Sequence, residues 1–326
     1  MSKGVVAGTS RMEAGRDPEA AMERGMRKMT TTMTRWSPDY EEAAVCFERA
    51  ATVFRLAKQF LRAADAYERA SQVRERLGEP FLAAKHMEAC GMMLVEERRA
   101  MGGEREGEGR GGAARGEEGG VDEDGPTSKF REAADLYVLA GNEQAAAEAL
   151  MKGAEHAREE GRGEEAYEAY DAAADRLCEA GASAEAPRAL REAARAAVES
   201  GAPALACAAL VKLASLHSKK SQNQAMCKAY LCCITAWLAA GELGSARESL
   251  GDFVCVDGFE GSAEGDAAVK LVAAFDTGEL DRVKAATGHD AFRYLDNFFA
   301  TLARRLPSPG TLRRRTVPDA DDDGLV

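Results

Sequence analysis

The chain has 326 residues and a formal net charge of −12, and 45% of its residues are hydrophobic, 30% charged and 6% aromatic. The acidic balance argues against a protein whose main role is to coat nucleic acid, because such binding depends on clustered Lys and Arg. Few prolines and few β-branched runs leave little from which to build a sheet, so the composition predicts an all-α fold.

The N-terminal segment, residues 1–34, is expected to be poorly ordered or helical. Its one short apolar run, Val5 to Ala7, is far shorter than a secretory signal needs, and no stretch of the chain reaches 18 consecutive apolar residues. We therefore expect a cytoplasmic protein. The eight dispersed cysteines are then expected to be reduced and buried, and their one local cluster has neither a CxxC pair nor a His at zinc-finger spacing.

From residue 35 onward a pattern of small residues repeats. The pairs Ala43-Ala44, Ala63-Ala64 and Ala83-Ala84 fall 20 residues apart. Small residues at helical spacing let two backbones approach closely, so these pairs are predicted to lie on the contact face of packed helices. A larger apolar residue follows each pair three residues later: Phe47, Tyr67 and Met87.

Glycines set the same period independently. Gly141, Gly161, Gly181 and Gly201 are 20 residues apart, and a glycine just after a helix takes the left-handed conformation without steric cost. Two such units make one helical hairpin of the size found in tetratricopeptide-like arrays. Residues 35–250 are therefore predicted to form a tetratricopeptide-like α-solenoid of antiparallel helical hairpins.

Three further segments depart from this pattern. Residues from about 102 to 128 are rich in Gly, Glu and Arg with almost nothing to bury, which predicts a disordered insert. Residues 251–306 keep helical periodicity with larger apolar residues, which predicts a C-terminal helical bundle that caps the solenoid. Residues 307–326 are predicted to be a mobile tail.

The sequence offers no catalytic constellation. The HExxH, GxSxG and GxxxxGK[ST] patterns are absent, and the four histidines are far apart, each expected on a helix surface or in a groove. We predict a protein that is not an enzyme and has no cofactor, no metal and no small-molecule substrate. An enzyme with an unrecognised groove site would require convergent His or carboxylate pairs, which the sequence does not indicate.

Several separated motifs resemble the soluble NSF attachment protein (SNAP) family, and its gamma type in particular. The residues before the first repeat helix follow the family order, which is Trp36, Pro38, Asp39 and Tyr40, and the AKQF at residues 57–60 is similar as well. The later matches are GMML at 91–94, GFEGS at 258–262, FRYLDN at 292–297 and a penultimate leucine after an acidic tail. The Gly-rich insert has no counterpart in the family pattern.

The resemblance implies a SNAP-type adaptor. Such an adaptor binds SNARE complexes, recruits the hexameric ATPase NSF and promotes SNARE disassembly in vesicle fusion and intracellular membrane trafficking. SNAPs contact acidic SNARE surfaces through basic residues, and the matched positions are Lys58, inside AKQF, and Arg188. A solvated helix cation is the alternative interpretation of either residue.

The resemblance also implies an NSF-binding end and a weak membrane contact. Acidic residues of the C-terminal helices and the terminal leucine are implied to engage NSF, and a solvated charge run is the alternative. The family's apolar membrane-touching loop is replaced here by residues 29–36, so peripheral membrane contact would rest on Met33 and Trp36, with packing as the alternative for Trp36. The implied NSF-binding or activating residues are Asp276, Glu279, Asp281, Asp321, Asp322, Asp323 and Leu325.

The main alternative function is a generic tetratricopeptide-like scaffold that binds peptide segments of other proteins. Such a scaffold would share the helical repeats. It would not need an acidic C-terminus that ends in leucine, so deletion of the tail discriminates the two functions.

Overall fold

The computed structural model describes residues 17–31, 36–107, 125–182 and 184–308. Within these ranges the secondary structure consists of α-helices and one 3-10 helix, with no strand, which confirms the predicted all-α class. The chain divides into a first unit that ends at Ala186 and a second unit that begins at Pro187.

The described part of the first unit contains seven helices, and each packs against the next one in the sequence. Most successive helices are joined by three-residue turns, so neighbours run antiparallel as hairpins. This nearest-neighbour packing is the predicted solenoid arrangement. The helices are α1 (Pro18–Met29), α2 (Tyr40–Leu56), α3 (Phe60–Arg76), α4 (Pro80–Gly107), α5 (Pro126–Leu139), α6 (Glu143–Glu159) and α7 (Gly163–Glu179).

The alanine pairs lie where the repeat predicts them. Ala43, Ala63 and Ala83 have no exposed surface, and the larger residues Phe47 and Tyr67 are buried beside them. The predicted contact face of α2, α3 and α4 is therefore confirmed. Close helix packing in this unit comes from small residues opposite a few large ones.

Aromatic rings fill the space that glycines leave open. A Cβ built on Gly25 of α1 would lie 2.7 Å from the ring of Phe47, and one built on Gly91 of α4 would lie 3.3 Å from the ring of Phe130. A Cβ built on Gly153 of α6 would lie 3.0 Å from the Cβ of the same Phe130 and 3.5 Å from its ring. The ring of Phe130 on α5 is therefore held between glycines of α4 and α6.

The second unit contains the remaining helices. Helix α10 packs against α9, α11, α12 and α14, so the C-terminal helices converge on one element. The helices are α8 (Ala186–Glu199), α9 (Pro203–Lys219), α10 (Asn223–Ala239), α11 (Leu243–Val254), α12 (Ala263–Thr277), α13 (Leu280–Thr287), a 3-10 helix (Asp290–Tyr294) and α14 (Asn297–Arg304).

An aromatic cluster forms the centre of this convergence. The rings of Tyr230 and Phe253 stack with centroids 4.2 Å apart, and Phe259 meets Tyr230 edge-on at 5.6 Å. All three side chains are buried. The helices predicted to form a compact C-terminal bundle thus pack through large apolar residues, unlike the alanine-rich helices of the first unit.

The helix ends bear on two of the predicted segments. Helix α4 continues to Gly107 and α5 begins at Pro126, so both ends of the span predicted as a disordered insert are helical. The centre of that insert, residues 108–124, and the tail from residue 309 lie outside the described residues.

Candidate functional site

Lys58 lies in the turn between α2 and α3, which corrects its interpretation as a helix cation. Its backbone is left-handed, with φ of 57°. The N–H of Gln59 donates to the carbonyl of Phe54 at 2.9 Å, and the N–H of Lys58 donates to that of Arg55 at 3.0 Å. This pair of bonds is the Schellman ending of a helix. The side chain of Lys58 is therefore presented from an exposed turn.

Left-handed residues recur at 20-residue spacing within each of two stretches of the chain. Six of the eight are glycines, which confirms the predicted stop signals, whereas Lys58 and Ser221 occupy the other two positions. A residue with a Cβ is disfavoured in this conformation. The lysine is thus retained where the turn itself favours glycine. The glycines are Gly78, Gly141, Gly161, Gly181, Gly201 and Gly241.

Arg188 belongs to a stripe of arginines on α8. Arg188 and Arg191 are exposed and Arg195 is half-buried, and spacings of three and four place all three on one helix face. Arg195 lies with its guanidinium carbon 5.2 Å from the centre of the Phe298 ring and pairs with Glu199 at 2.9 Å. That pairing raises the pKa of Arg195. The sequence pattern contained this stripe, although only Arg188 was singled out.

A groove in the second unit adjoins the stripe. Its cavity of about 400 Å³ is lined by Arg191 and, on α10, by Lys228, whose Nζ lies 5.9 Å from the centre of the Tyr294 ring. Buried side chains such as Leu213 form the floor, and Asp296 is a carboxylate on the rim. Lys228 could not be recognised from the sequence, because only the packing of α10 brings it to this groove.

The acidic candidates Asp276, Glu279 and Asp281 lie together at the turn between α12 and α13. All three are exposed. Asp276 pairs with Arg247 of α11 at 2.9 Å, and Glu279 pairs with Arg282 at 2.7 Å.

One carboxylate of this turn is unpaired, and one leucine in it is partly exposed. Asp281 makes no ion pair among the described residues. Leu280, between Glu279 and Asp281, is 41% exposed. The turn therefore presents carboxylates around an apolar side chain, and sequence reasoning did not single out Leu280.

The other candidates divide between described and undescribed residues. Trp36 is 94% exposed, so the packing alternative for this residue is wrong. Lys58 lies in the first unit, whereas Arg188 and the acidic turn lie in the second. Met33 and the tail candidates lie outside the described residues; the tail candidates are Asp321, Asp322, Asp323 and Leu325.

Asp39, in the motif that begins with Trp36, caps the N-terminus of α2. Asp39 accepts a hydrogen bond from the N–H of Glu42 at 3.2 Å and pairs with Lys28 of α1 at 3.3 Å. The bond from Glu42 is the main reason that the pKa of Asp39 lies below its usual value. Asp39 thus starts α2 and ties it to α1.

Among the described residues no group of three or more His, Cys, Asp or Glu side chains is placed to hold a metal ion. His156 and His217 are buried and each lines a groove, so the groove alternative holds for these two and the surface alternative does not. All eight cysteines are free as expected, but Cys178 and Cys255 are exposed, so burial holds for six of them. None of the helices in the described ranges is long and apolar enough to cross a membrane.

These features define the class of protein. It is a helical-repeat protein whose distinctive surfaces are exposed charged groups on turns and helix faces, as expected of a protein that binds other macromolecules.

The sequence profile of the family "Soluble NSF attachment protein, SNAP" matches residues 16–100 and 121–307. The chain therefore belongs to the soluble NSF attachment protein family, a family of adaptors. The interval between the two matched stretches falls within the predicted insert.

Individual relatives agree with the gamma type that the motifs indicate. The chain is 28% identical over 312 residues to the "Gamma-soluble NSF attachment protein" of Arabidopsis thaliana, a match that covers 95% of this chain and 99% of the relative. It is 33% identical over 88 residues to the protein of the same description from Dictyostelium discoideum, which covers 27% of each chain.

One solved structure is a looser match. It is described as a "Circular tandem repeat protein with novel repeat topology and enhanced subunit contact surfaces". It is 15% identical with a TM-score of 0.41, and the match covers 86% of this chain and 76% of that one.

Proposed function

We propose that this adaptor binds SNARE complexes and recruits an NSF-type hexameric ATPase, so that ATP hydrolysis by the ATPase drives SNARE disassembly in membrane trafficking. In this role the chain performs no catalysis and places two partners side by side. The observation that carries the proposal is the separation of opposite charges in the second unit. Arginines occupy one face of α8, and carboxylates occupy the turn between α12 and α13.

The arginine stripe suits an acidic helical partner. From Arg188 to Arg195 it extends about 10 Å along α8, which is roughly two helical turns. Carboxylates that recur at helical spacing on a partner helix can meet such a row, and arginine binds carboxylates in a bidentate manner. Arg188 and Arg191 make no ion pair among the described residues, so they are available to a partner. Lys58 is a second candidate SNARE contact on the sequence resemblance alone.

The acidic turn suits a basic partner surface. Asp281 has no ion-pair partner among the described residues, and the exposed Leu280 beside it supplies an apolar contact that charge alone lacks. We therefore propose that Asp276, Glu279 and Asp281 contact the NSF-type partner around Leu280. Charges of this kind speed association and select the partner more than they add affinity.

Two charge-reversal variants test the proposal by separating the partners. Arg188→Glu with Arg191→Glu is expected to weaken binding of soluble SNARE complex at least tenfold while NSF binding is retained. Glu279→Lys with Asp281→Lys is expected to do the reverse. Glu248→Lys, at an exposed carboxylate of α11, is the matched control. If each double variant binds both partners as wild type does, these surfaces are not the sites.

The tail is proposed to act on the ATPase. Its acidic residues, Asp321 to Asp323, can pair with a basic surface, and Leu325 is the apolar anchor. Truncation after Pro318, or Leu325→Ala alone, is expected to leave SNARE binding intact while it lowers stimulation of NSF ATPase activity. Equal ATP turnover with wild type, the truncation and Leu325→Ala would show that the tail is a solvated charge run. A generic scaffold predicts that result.

A further inference from the structure

The residues from Arg55 to Arg62, here called the α2–α3 knuckle, combine exposed leucines with cations. Leu56 is 76% exposed and Leu61 is 54% exposed, and Lys58 lies between them at the exposed tip of the turn. Large apolar side chains that are this exposed on both sides of one tight turn contribute little to the core of the first unit. Their exposure points to an external partner.

The knuckle is the middle of a stretch without acidic residues in an acidic chain. No Asp or Glu occurs between Glu48 and Asp65, although the whole chain carries a net charge of −12. The cations of this stretch are Arg49, Arg55, Lys58 and Arg62.

Two of these cations are not neutralised by neighbours. Arg55 and Lys58 make no ion pair among the described residues. Glu19 of α1 pairs with Arg62, and Asp65, the next carboxylate along the chain, pairs with Arg69 at 2.9 Å. The knuckle therefore carries uncompensated positive charge beside its leucines.

The backbone gives a separate indication that the side chain of Lys58 matters. Glycine fills the left-handed position in six of the eight recurring turns, whereas Lys58 accepts the steric cost at φ of 57°. A strained residue that the fold does not require is a candidate for a functional side chain.

We propose that the α2–α3 knuckle binds an anionic membrane surface. Leu56 and Leu61 enter the boundary between the headgroups and the acyl chains, and Arg55 and Lys58 pair with anionic headgroups. Peripheral binding needs two signals together, an apolar insertion and a basic patch, and the knuckle supplies both. An acidic protein surface would meet the cations but would leave both leucines in water, so a lipid surface fits the whole knuckle better. The site is distinct from Trp36, which precedes α2.

Flotation of the full chain with lipid vesicles, without SNAREs or NSF, tests the proposal. We expect binding to vesicles of phosphatidylcholine with phosphatidylserine, little binding to phosphatidylcholine alone, and weaker binding as salt rises. Lys58→Glu, which changes two charge units at the surface, and the double variant Leu56→Ser with Leu61→Ser are each expected to lower the partition coefficient about tenfold or more.

Two further variants are matched controls, and a third separates the loss of charge from unfolding. Leu139 is 69% exposed and stands two residues before Gly141, as Leu56 stands two before Lys58, but it has no Lys or Arg within seven residues. Leu139→Ser is therefore expected to keep vesicle binding. Lys219→Glu, at an exposed cation two residues before Ser221, is expected to keep it as well. Lys58→Gly removes the charge while it relieves the backbone, so its loss of vesicle binding cannot come from unfolding.

The outcomes distinguish this site from the proposed adaptor function. Unchanged partition of Lys58→Glu and of the double leucine variant would overturn the proposal, as would an equal loss with Leu139→Ser. A third contradictory result is that Lys58→Glu loses soluble SNARE complex but keeps vesicle binding, which would assign the knuckle to an acidic protein partner. Failure of the charge-reversal variants on α8 would leave this site unaffected.

Discussion

In the first unit each helix packs against its neighbours in the sequence, whereas in the second unit α10 packs against four helices. The first arrangement repeats a local rule: small residues on a contact face, a large residue opposite, and a left-handed turn. The second depends on one aromatic cluster whose members come from different elements. We therefore expect the loss of stability from a single substitution to be spread over neighbouring helices in the first unit. In the second unit we expect the loss to be largest for residues of the aromatic cluster.

The largest effect is expected at the aromatic cluster. Phe259 is fully buried and meets Tyr230 and Phe253 edge-on, so Phe259→Ala should cost about 3–5 kcal/mol of unfolding free energy. Chemical denaturation followed by circular dichroism measures this cost. Tyr294→Ala, at an exposed ring, is the control. A cost below about 1 kcal/mol for Phe259→Ala would show that the cluster does not organise the second unit.

The contact face of the first unit is tested by adding one methyl group. Gly25→Ala places a Cβ within 2.7 Å of the buried ring of Phe47, and this overpacking should cost about 1–3 kcal/mol, offset in part by better helix propensity.

The destabilisation by Gly25→Ala should disappear or reverse when the ring of Phe47 is replaced by a smaller side chain. In a Phe47→Leu background, Gly25→Ala should be neutral or stabilising, and a double-mutant cycle measures the coupling. Gly251→Ala on α11, where no atom lies within 4 Å of the added Cβ, should be neutral or stabilising in the wild-type chain. Additive effects of Gly25→Ala and Phe47→Leu would contradict the close contact.

Substitutions at the left-handed positions of the recurring turns are expected to change the free energy of unfolding by less, and in opposite directions at Gly161 and Lys58. Gly161 has φ of 78° and open space around it, so Gly161→Ala should cost about 1 kcal/mol through backbone strain alone. Lys58→Gly should stabilise by up to about 1 kcal/mol for the same reason. Melting temperatures of both variants test this, and a destabilised Lys58→Gly would mean that the lysine supports the fold.

The smallest expected effect is a pH dependence in the first unit. Burial is the main reason that the pKa of His156 is lowered, and it outweighs the opposing effect of Glu160, whose Oε1 lies 3.1 Å from the ring Nε2. The unfolded chain therefore binds the proton first as the pH falls below about 6.5, and stability is lost in that range. Denaturation at pH 7 and pH 5 should show a smaller loss for His156→Leu than for wild type. An equal loss in both would remove His156 as the cause.

Local features of the fold could be predicted from the sequence because they repeat. Ala63 and Ala83 identified a buried helix face, and Gly161 and Gly201 identified turns. Lys58 and Ser221 occupy the same register, but a rule that looks for glycine does not find them. The stacking of Tyr230 on Phe253 joins residues that are distant in the sequence, so no local pattern indicates it.

The candidate surfaces were predictable to a similar degree. The spacing of Arg188, Arg191 and Arg195 is visible in the sequence as one helix face. Lys228 reaches the neighbouring groove only through the packing of α10, and the exposure of Leu56 and Leu280 depends on which side of each turn is covered. Exposure is a property of the packed chain, and a leucine in a sequence pattern is ordinarily read as core.

The most direct test of the adaptor function is a bridging pull-down. SNARE complex is immobilised, the NSF-type ATPase is supplied in its ATP-bound state without hydrolysis, and the ATPase that is retained is measured with and without this chain. The account predicts retention only when the chain is present, and loss of that retention with either Arg188→Glu plus Arg191→Glu or Glu279→Lys plus Asp281→Lys. If the chain binds neither partner, or if the ATPase is retained equally without it, the adaptor function is wrong.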